Sequence, residues 1–157
     1  MPARELAYSY GTPLLVIDLG VVDDAVRALT DSAAASGAEV SYAAKAFATT
    51  EFLRHLAAHP IGVDVCSLGE LITAERAGFS PERITLHGAG KSDEELAAAV
   101  AGRFGRIVVD GLEELERLAA LSAGAPRVNV MLRLNVCIEA GSHAYVRTGG
   151  NDTKFGI

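Results

Sequence analysis

Short β-branched or apolar runs alternate along this chain with longer stretches in which apolar residues recur every three or four positions. The runs are 40–44, 62–66, 83–87, 106–109 and 127–135, and their starts are spaced by roughly 21 to 23 residues. The stretches between them place Leu71, Ile72 and Ala77, then Leu96, Ala97 and Val100, then Leu112, Leu115, Leu118 and Ala119 at helical spacing. Strands are therefore predicted at the runs and amphipathic helices between them. Helix starts are signalled independently by Ser67 with Glu70, Ser92 with Glu95, and Asp110 with Glu113. In each pair the first side chain can accept from a backbone N–H while the glutamate reaches back. Gly78 and Gly102 stand where helices should stop.

Strands alternating with helices predict parallel pairing and a right-handed wind. A doubly wound sheet would carry a Gly-rich phosphate loop after its first strand. Here the first strand runs into Ala44-Lys45-Ala46-Phe47, without that loop. The even spacing instead favours an α/β fold of the (β/α)8 barrel type. Eight units need about 250 residues, and five strand-like runs fit in 157. The expectation is the first part of a longer protein, or a truncated one. Pro13 to Asp18 is also strand-like, and a helix is predicted from Val21 to about Ala35. The lead-in segment, residues 1–20, is expected to belong to another domain, and 21–157 to the barrel.

Side chains alternate across a strand. Ser41, Ala43 and Lys45 share one face of the first strand, Asp64 and Cys66 one face of the second, Thr85 and His87 one of the third. In the fifth, Met131, Arg133 and Asn135 oppose Val130, Leu132 and Leu134. The uniformly apolar faces should meet the helices. The others converge inside and carry Lys45, Asp64, His87 and Arg133. The carboxyl ends of parallel strands are where such folds build active sites.

Lys45 is either a solvated charge or a nucleophile. A free lysine is neutral only about once in 2,500 molecules at pH 7, so a nucleophilic one needs burial or a nearby cation; Arg133 could supply the cation. Asp64, between valines, needs a partner, either Lys154 or Arg133 in a structural pair, or a cofactor or imidazole that it holds. His87 reads equally as a structural group or a site residue. No second histidine lies near it at ligand spacing, so no metal site is read there. His143 and Thr148-Gly149-Gly150 form a plain loop or a lid.

Composition narrows the classes. A net charge of −6 argues against general affinity for nucleic acid or anionic membrane. No apolar run approaches the roughly 18–20 residues of a membrane span, and the first residues lack a signal-peptide pattern. Two cysteines, Cys66 and Cys137, make no C-x-x-C pair. A reduced, cytoplasmic protein is expected, with Cys66 as a small core residue.

Four segments occur in a recognisable order: Tyr42-Ala43-Ala44-Lys45-Ala46-Phe47; Gly62-Val63-Asp64-Val65-Cys66-Ser67-Leu68-Gly69-Glu70-Leu71; Leu86-His87-Gly88 with Lys91; and Thr148-Gly149 through Lys154-Phe155-Gly156-Ile157. This series resembles the N-terminal half of the diaminopimelate decarboxylases, in the alanine-racemase-like, fold-type III group of pyridoxal-phosphate enzymes that also holds ornithine and arginine decarboxylases. The resemblance runs from Gly11 onward. It implies a (β/α)8 barrel followed by a β-rich C-terminal domain, to which the lead-in strand would belong, in a homodimer with sites at the interface. Lys45 falls on the Schiff-base lysine that holds pyridoxal 5'-phosphate. Asp64, His87 and Arg133 fall beside the cofactor, and Lys154 near the dimer contact. After the fifth strand the family pattern L-R-I-N-P is replaced by Leu132-Arg133-Leu134-Asn135-Val136.

The activity implied is decarboxylation of a basic or diamino acid, foremost meso-diaminopimelate to L-lysine. The phosphate cradle, a ring-stacking histidine, a substrate-binding arginine and a proton-donating cysteine would all lie beyond Ile157. The 157 residues alone are therefore expected to be inactive, and neither cysteine here is the acid. Alternatives are an ornithine or arginine decarboxylase-like enzyme, a racemase or cofactor carrier of the same fold, a non-catalytic decarboxylase-like binding protein, and a class I aldolase-type barrel.

Overall fold

The computed structural model describes residues 1–136 and 155–157. It divides into two compact units, Met1–Ala38 and Glu39–Ile157. The first holds α1 (Ala3–Tyr10) and α2 (Leu19–Ala34). The Asp18 side chain starts α2 by accepting from the N–H of Gly20 and of Val21, at 2.9 and 3.3 Å. Pro13 to Asp18, expected as a strand, belongs to no sheet among the described residues. Its Leu14, Leu15, Val16 and Ile17 are exposed. An apolar run supplies strand propensity, but only a pairing partner makes a strand.

The second unit carries the repeat. Strands β1 (Ser41–Ala43), β2 (Gly62–Val65), β3 (Ile84–Leu86), β4 (Arg106–Val109) and β5 (Val130–Leu132) alternate with helices α3 (Thr50–Ala57), α4 (Leu68–Ala77), α5 (Asp93–Val100) and α6 (Leu112–Leu121). All four strand pairings are parallel, and the order in the sheet is the order in the chain. A doubly wound sheet would reverse direction at a switch point. This one does not, which makes it the wall of a (β/α)8 barrel.

The register fixes the faces. Val63 pairs with Ile84, Val65 with Leu86, and Leu86 with Ile107. These five side chains and Val109 have no exposed surface, and Leu53, Leu71 and Leu96 of the helices are equally buried. The opposite row runs Ala43, Asp64, Thr85 and Arg106, and stays partly or wholly exposed. The predicted split into a helix-facing and a site-facing row is thus observed on β2 and β3, whereas on β4 Val108 of the site-facing row is buried as well. On β5 the row Val130, Leu132 and Leu134 is exposed in the described structure.

Two helix starts follow the sequence reading. Ser67 Oγ accepts from Glu70 N at 3.2 Å, and Ser92 with Glu95 closes a full capping box. The third does not: α6 is preceded by Gly111, with no side-chain cap. Asp110 is turned to another partner, described below. Gly105 has a steric reason to be glycine. A Cβ there would lie 2.6 Å from the carbonyl oxygen of Glu82.

Candidate active site

The polar residues of the site-facing row gather at the carboxyl ends of the strands. Lys45 lies in a 3-10 turn, Ala44–Ala46, directly after β1. The turn is closed from behind. Ala44 is 1% exposed, and Tyr42 Oη donates to the Phe47 carbonyl at 3.0 Å. Phe52, from α3, meets the rings of Tyr42 and Phe47 edge-on, with centroids 5.5 and 5.3 Å away. An aromatic cluster beneath the turn therefore leaves Lys45 exposed above it.

Asp64, on β2, uses its two oxygens differently. Oδ1 accepts from Ser41 Oγ at 2.8 Å, and Oδ2 lies 3.6 Å from Nε2 of His87. Both partners come from neighbouring strands on the same face, so the inward aspartate is explained. His87 stands at the end of β3. Partial burial, the largest influence, lowers its pKa below 6.5; Asp64 opposes this, and the charges of Lys91, Arg133 and Lys45 add to it. The imidazole is accordingly neutral at pH 7. Cys66, expected in the core, is exposed. It ends β2 on the face of Asp64, and the apolar row that packs under the helices is the other one. Its thiol is pushed up by desolvation, then by Glu70 and Asp64, against Lys45 and Lys91.

Arg133 is not the partner of Asp64. Its Nη1 donates to Asp110 Oδ1 at 2.8 Å, and its guanidinium lies over the Phe155 ring, 4.2 Å from the centroid. Gly156 N approaches the other oxygen of Asp110 at 3.4 Å. Ile157 forms a rung beside β5, donating to Arg133 O at 2.8 Å and accepting from Asn135 N at 2.9 Å. Asp110 is thus a site residue that its reading as a helix cap concealed. The alternation that selects Asp64 also selects it, because it continues the row of Arg106 and Val108. Lys91 and Glu114 form a buried ion pair at 2.7 Å, for which the sequence offered only a lysine within a motif. Lys154, Cys137, His143 and the 148–150 turn lie outside the described residues.

The strand ends thus bring together Lys45, Asp64 and His87, with Arg133 held beside them by Asp110. An amine, a carboxylate, a neutral imidazole and a guanidinium form a set suited to a flat anionic molecule with an electrophilic carbon. Small groups, Ser41, Ala43 and Gly62, floor it on β1 and β2.

A family model described as the pyridoxal binding domain of pyridoxal-dependent decarboxylases matches residues 19–157. The diaminopimelate decarboxylase of Mycobacterium tuberculosis (strain ATCC 25618 / H37Rv) is 48% identical over 160 residues, covering 100% of this chain and 35% of that protein. That of Bacillus subtilis (strain 168) is 40% identical over 158 residues, covering 99% and 36%. Among solved structures, a point mutant of diaminopimelate decarboxylase from Helicobacter pylori, complexed with L-lysine, superposes with a TM-score of 0.87 at 31% identity, over 99% of this chain and 40% of that one. The chain spans about a third of the length of the curated relatives it matches.

Proposed function

We propose, from the premise that this chain belongs to the pyridoxal-dependent decarboxylases and contains their pyridoxal-binding domain, that it forms part of an enzyme converting meso-diaminopimelate to L-lysine. The substrate follows the names of the relatives, which are diaminopimelate decarboxylases at 40% to 48% identity. The observation that carries the chemistry is the exposed Lys45 just after β1, near enough to the Asp64–His87 pair for its charge to act on the imidazole.

The residues fit pyridoxal 5'-phosphate. Lys45 Nζ is the one amine of the group with an exposed side chain and would hold the cofactor covalently. Asp64 and His87 would line it, with Arg133 adding positive charge. When bound, the cofactor supplies a conjugated ring that takes up the electron pair left by a departing carboxylate. The chain's own part is orientation and charge. Asp64, fixed by the Ser41 hydroxyl, presents a carboxylate that does not rotate freely. His87, kept neutral, can accept or donate one hydrogen bond without adding a further positive charge. The buried Ala44 and the aromatic cluster behind the turn limit where the Lys45 amine can reach.

The same reading proposes a homodimer with Lys154 near the contact, a cytoplasmic location, and residues 1–20 grouped with a β-rich domain. No helix among the described residues is long and apolar enough to cross a membrane. The test is borohydride reduction of the protein with added pyridoxal 5'-phosphate, followed by peptide mapping. The label is expected on Lys45 and is expected to vanish in Lys45→Ala. A label placed elsewhere removes the central assignment.

A further inference from the structure

Lys91 lies in the connection between β3 and α5, and its side chain is 2% exposed. Its ammonium has three N–H groups and three acceptors: Gly88 O at 2.6 Å, Val108 O at 2.6 Å and Glu114 Oε1 at 2.7 Å. They come from three different segments, the turn after His87, the end of β4 and the first turns of α6. A buried ion pair is a weak source of stability, since apolar residues of similar volume often replace it at no loss. What such a pair can supply is position.

We propose that Lys91 is a positioning residue of the site: it fastens the His87–Gly88 turn to β4 and α6, and so sets how the imidazole stands against Asp64. Two further contacts define the turn it holds. Gly88 has φ +103°, and a Cβ there would sit 3.4 Å from Cys66 O, so the turn packs directly against the end of β2. His87 N also donates to Val65 O at 2.7 Å. The His87–Gly88 backbone is therefore held between β2 on one side and the ammonium on the other. Lys91 does not reach the open face and would not touch a ligand there. Its functional meaning depends on the cofactor-site reading above, but its geometry does not.

The charges around His87 give a readout. It faces Asp64 from β2, Lys45 from the turn after β1, Lys91 from its own connection and Arg133 from β5, with Asp110 paired to that arginine at the end of β4. Asp64 favours the protonated ring and the cations oppose it. The experiment is an NMR titration of the His87 ring in the intact protein without added cofactor, assigned with His87→Gln and accompanied by circular dichroism. It compares wild type, Asp64→Asn, Lys91→Met and the double variant Asp64→Asn/Lys91→Met.

Asp64→Asn is expected to lower the His87 pKa, and that drop is expected to shrink in the Lys91→Met background, because the ring no longer stands against residue 64. An undiminished drop overturns the proposal. If Lys91→Met does not fold, Glu114→Ala decides. It removes one of the three acceptors that orient the ammonium, so the drop caused by Asp64→Asn should again shrink. A drop of wild-type size in that background overturns the proposal. The cofactor takes no part in these measurements, so failure of the decarboxylase reading, tested by labelling Lys45, is seen separately.

Discussion

His87 is the residue where burial and charge pull apart most visibly. Its pKa in the folded protein lies below the ordinary 6.5 because desolvation and three cations outweigh Asp64. Above about pH 6.5 both folded and unfolded chains hold a neutral ring, and the group favours neither. As pH falls through that value the unfolded chain takes up a proton that the folded one resists, so stability drops until the folded ring also titrates. Urea midpoints measured at pH 7.5 and 5.5 should therefore fall further in wild type than in His87→Gln. Equal losses would mean that other groups carry the acid sensitivity. Gly105 makes a purely steric prediction. A Cβ would press on the backbone of residue 82, with contacts of 2.6 to 2.8 Å to its O, Cα and C, and backbone cannot move aside as a flexible side chain would. Gly105→Ala should cost about 1–3 kcal/mol, as overpacking does, read as a lower denaturation midpoint.

Between elements, each repeat is latched to the one before it. Arg83, opening β3, donates Nε to Ile61 O and Nη1 to Ala57 O, both at 2.9 Å, and Nη2 to His59 O. It satisfies carbonyls at and beyond the end of α3, which lack helical partners, and its Cζ lies 5.0 Å from the centre of the Phe79 ring. Arg83→Lys keeps the charge but loses the planar fork that spans these carbonyls. It should destabilise by about 2 kcal/mol, from hydrogen bonds to a charged group worth about 1.5–3 kcal/mol each, in chemical denaturation. Glu95 makes a second latch by closing the α5 capping box and also accepting from Leu68 N at 3.1 Å. Ser92→Ala should cost about 1 kcal/mol. These latches explain what the sequence could and could not disclose. The caps at Ser67 and Ser92 are local, so residues three apart disclosed them. Asp110 carries the same local signature, but a partner 23 residues away, Arg133, won its carboxylate. Pairings across units, such as Lys91 with Glu114, leave no trace at short spacing. The site face was readable because strand alternation is a short-range rule, which selected Asp64, His87 and Arg133, though not which of them would bond; Lys45 stands in the 3-10 turn after β1, where that alternation has ended.

At the scale of the sheet, order follows burial. In β2, β3 and β4 the row under the helices is Val63, Val65, Ile84, Leu86, Ile107 and Val109, all with no exposed surface, and each of these strands has a parallel neighbour on both sides. In β5 the residues of both rows, Val130, Met131 and Leu132, are 43% to 54% exposed. Opening free energy scales with the apolar contacts and ladder bonds that must be lost together. Backbone amides of β2 to β4 should therefore exchange with solvent only on global unfolding. Lys91 adds a distinction that burial alone does not. The His87 amide bonds to Val65 O, while in the turn that follows it the Gly88 carbonyl is fastened by the Lys91 ammonium. In Lys91→Met, exchange at residues 88–90 should quicken while the amides of Val63, Val65 and Ile107 keep their protection. A uniform rise across the sheet would instead assign the buried pair to global stability, and the turn would then be no more than one more part of the core.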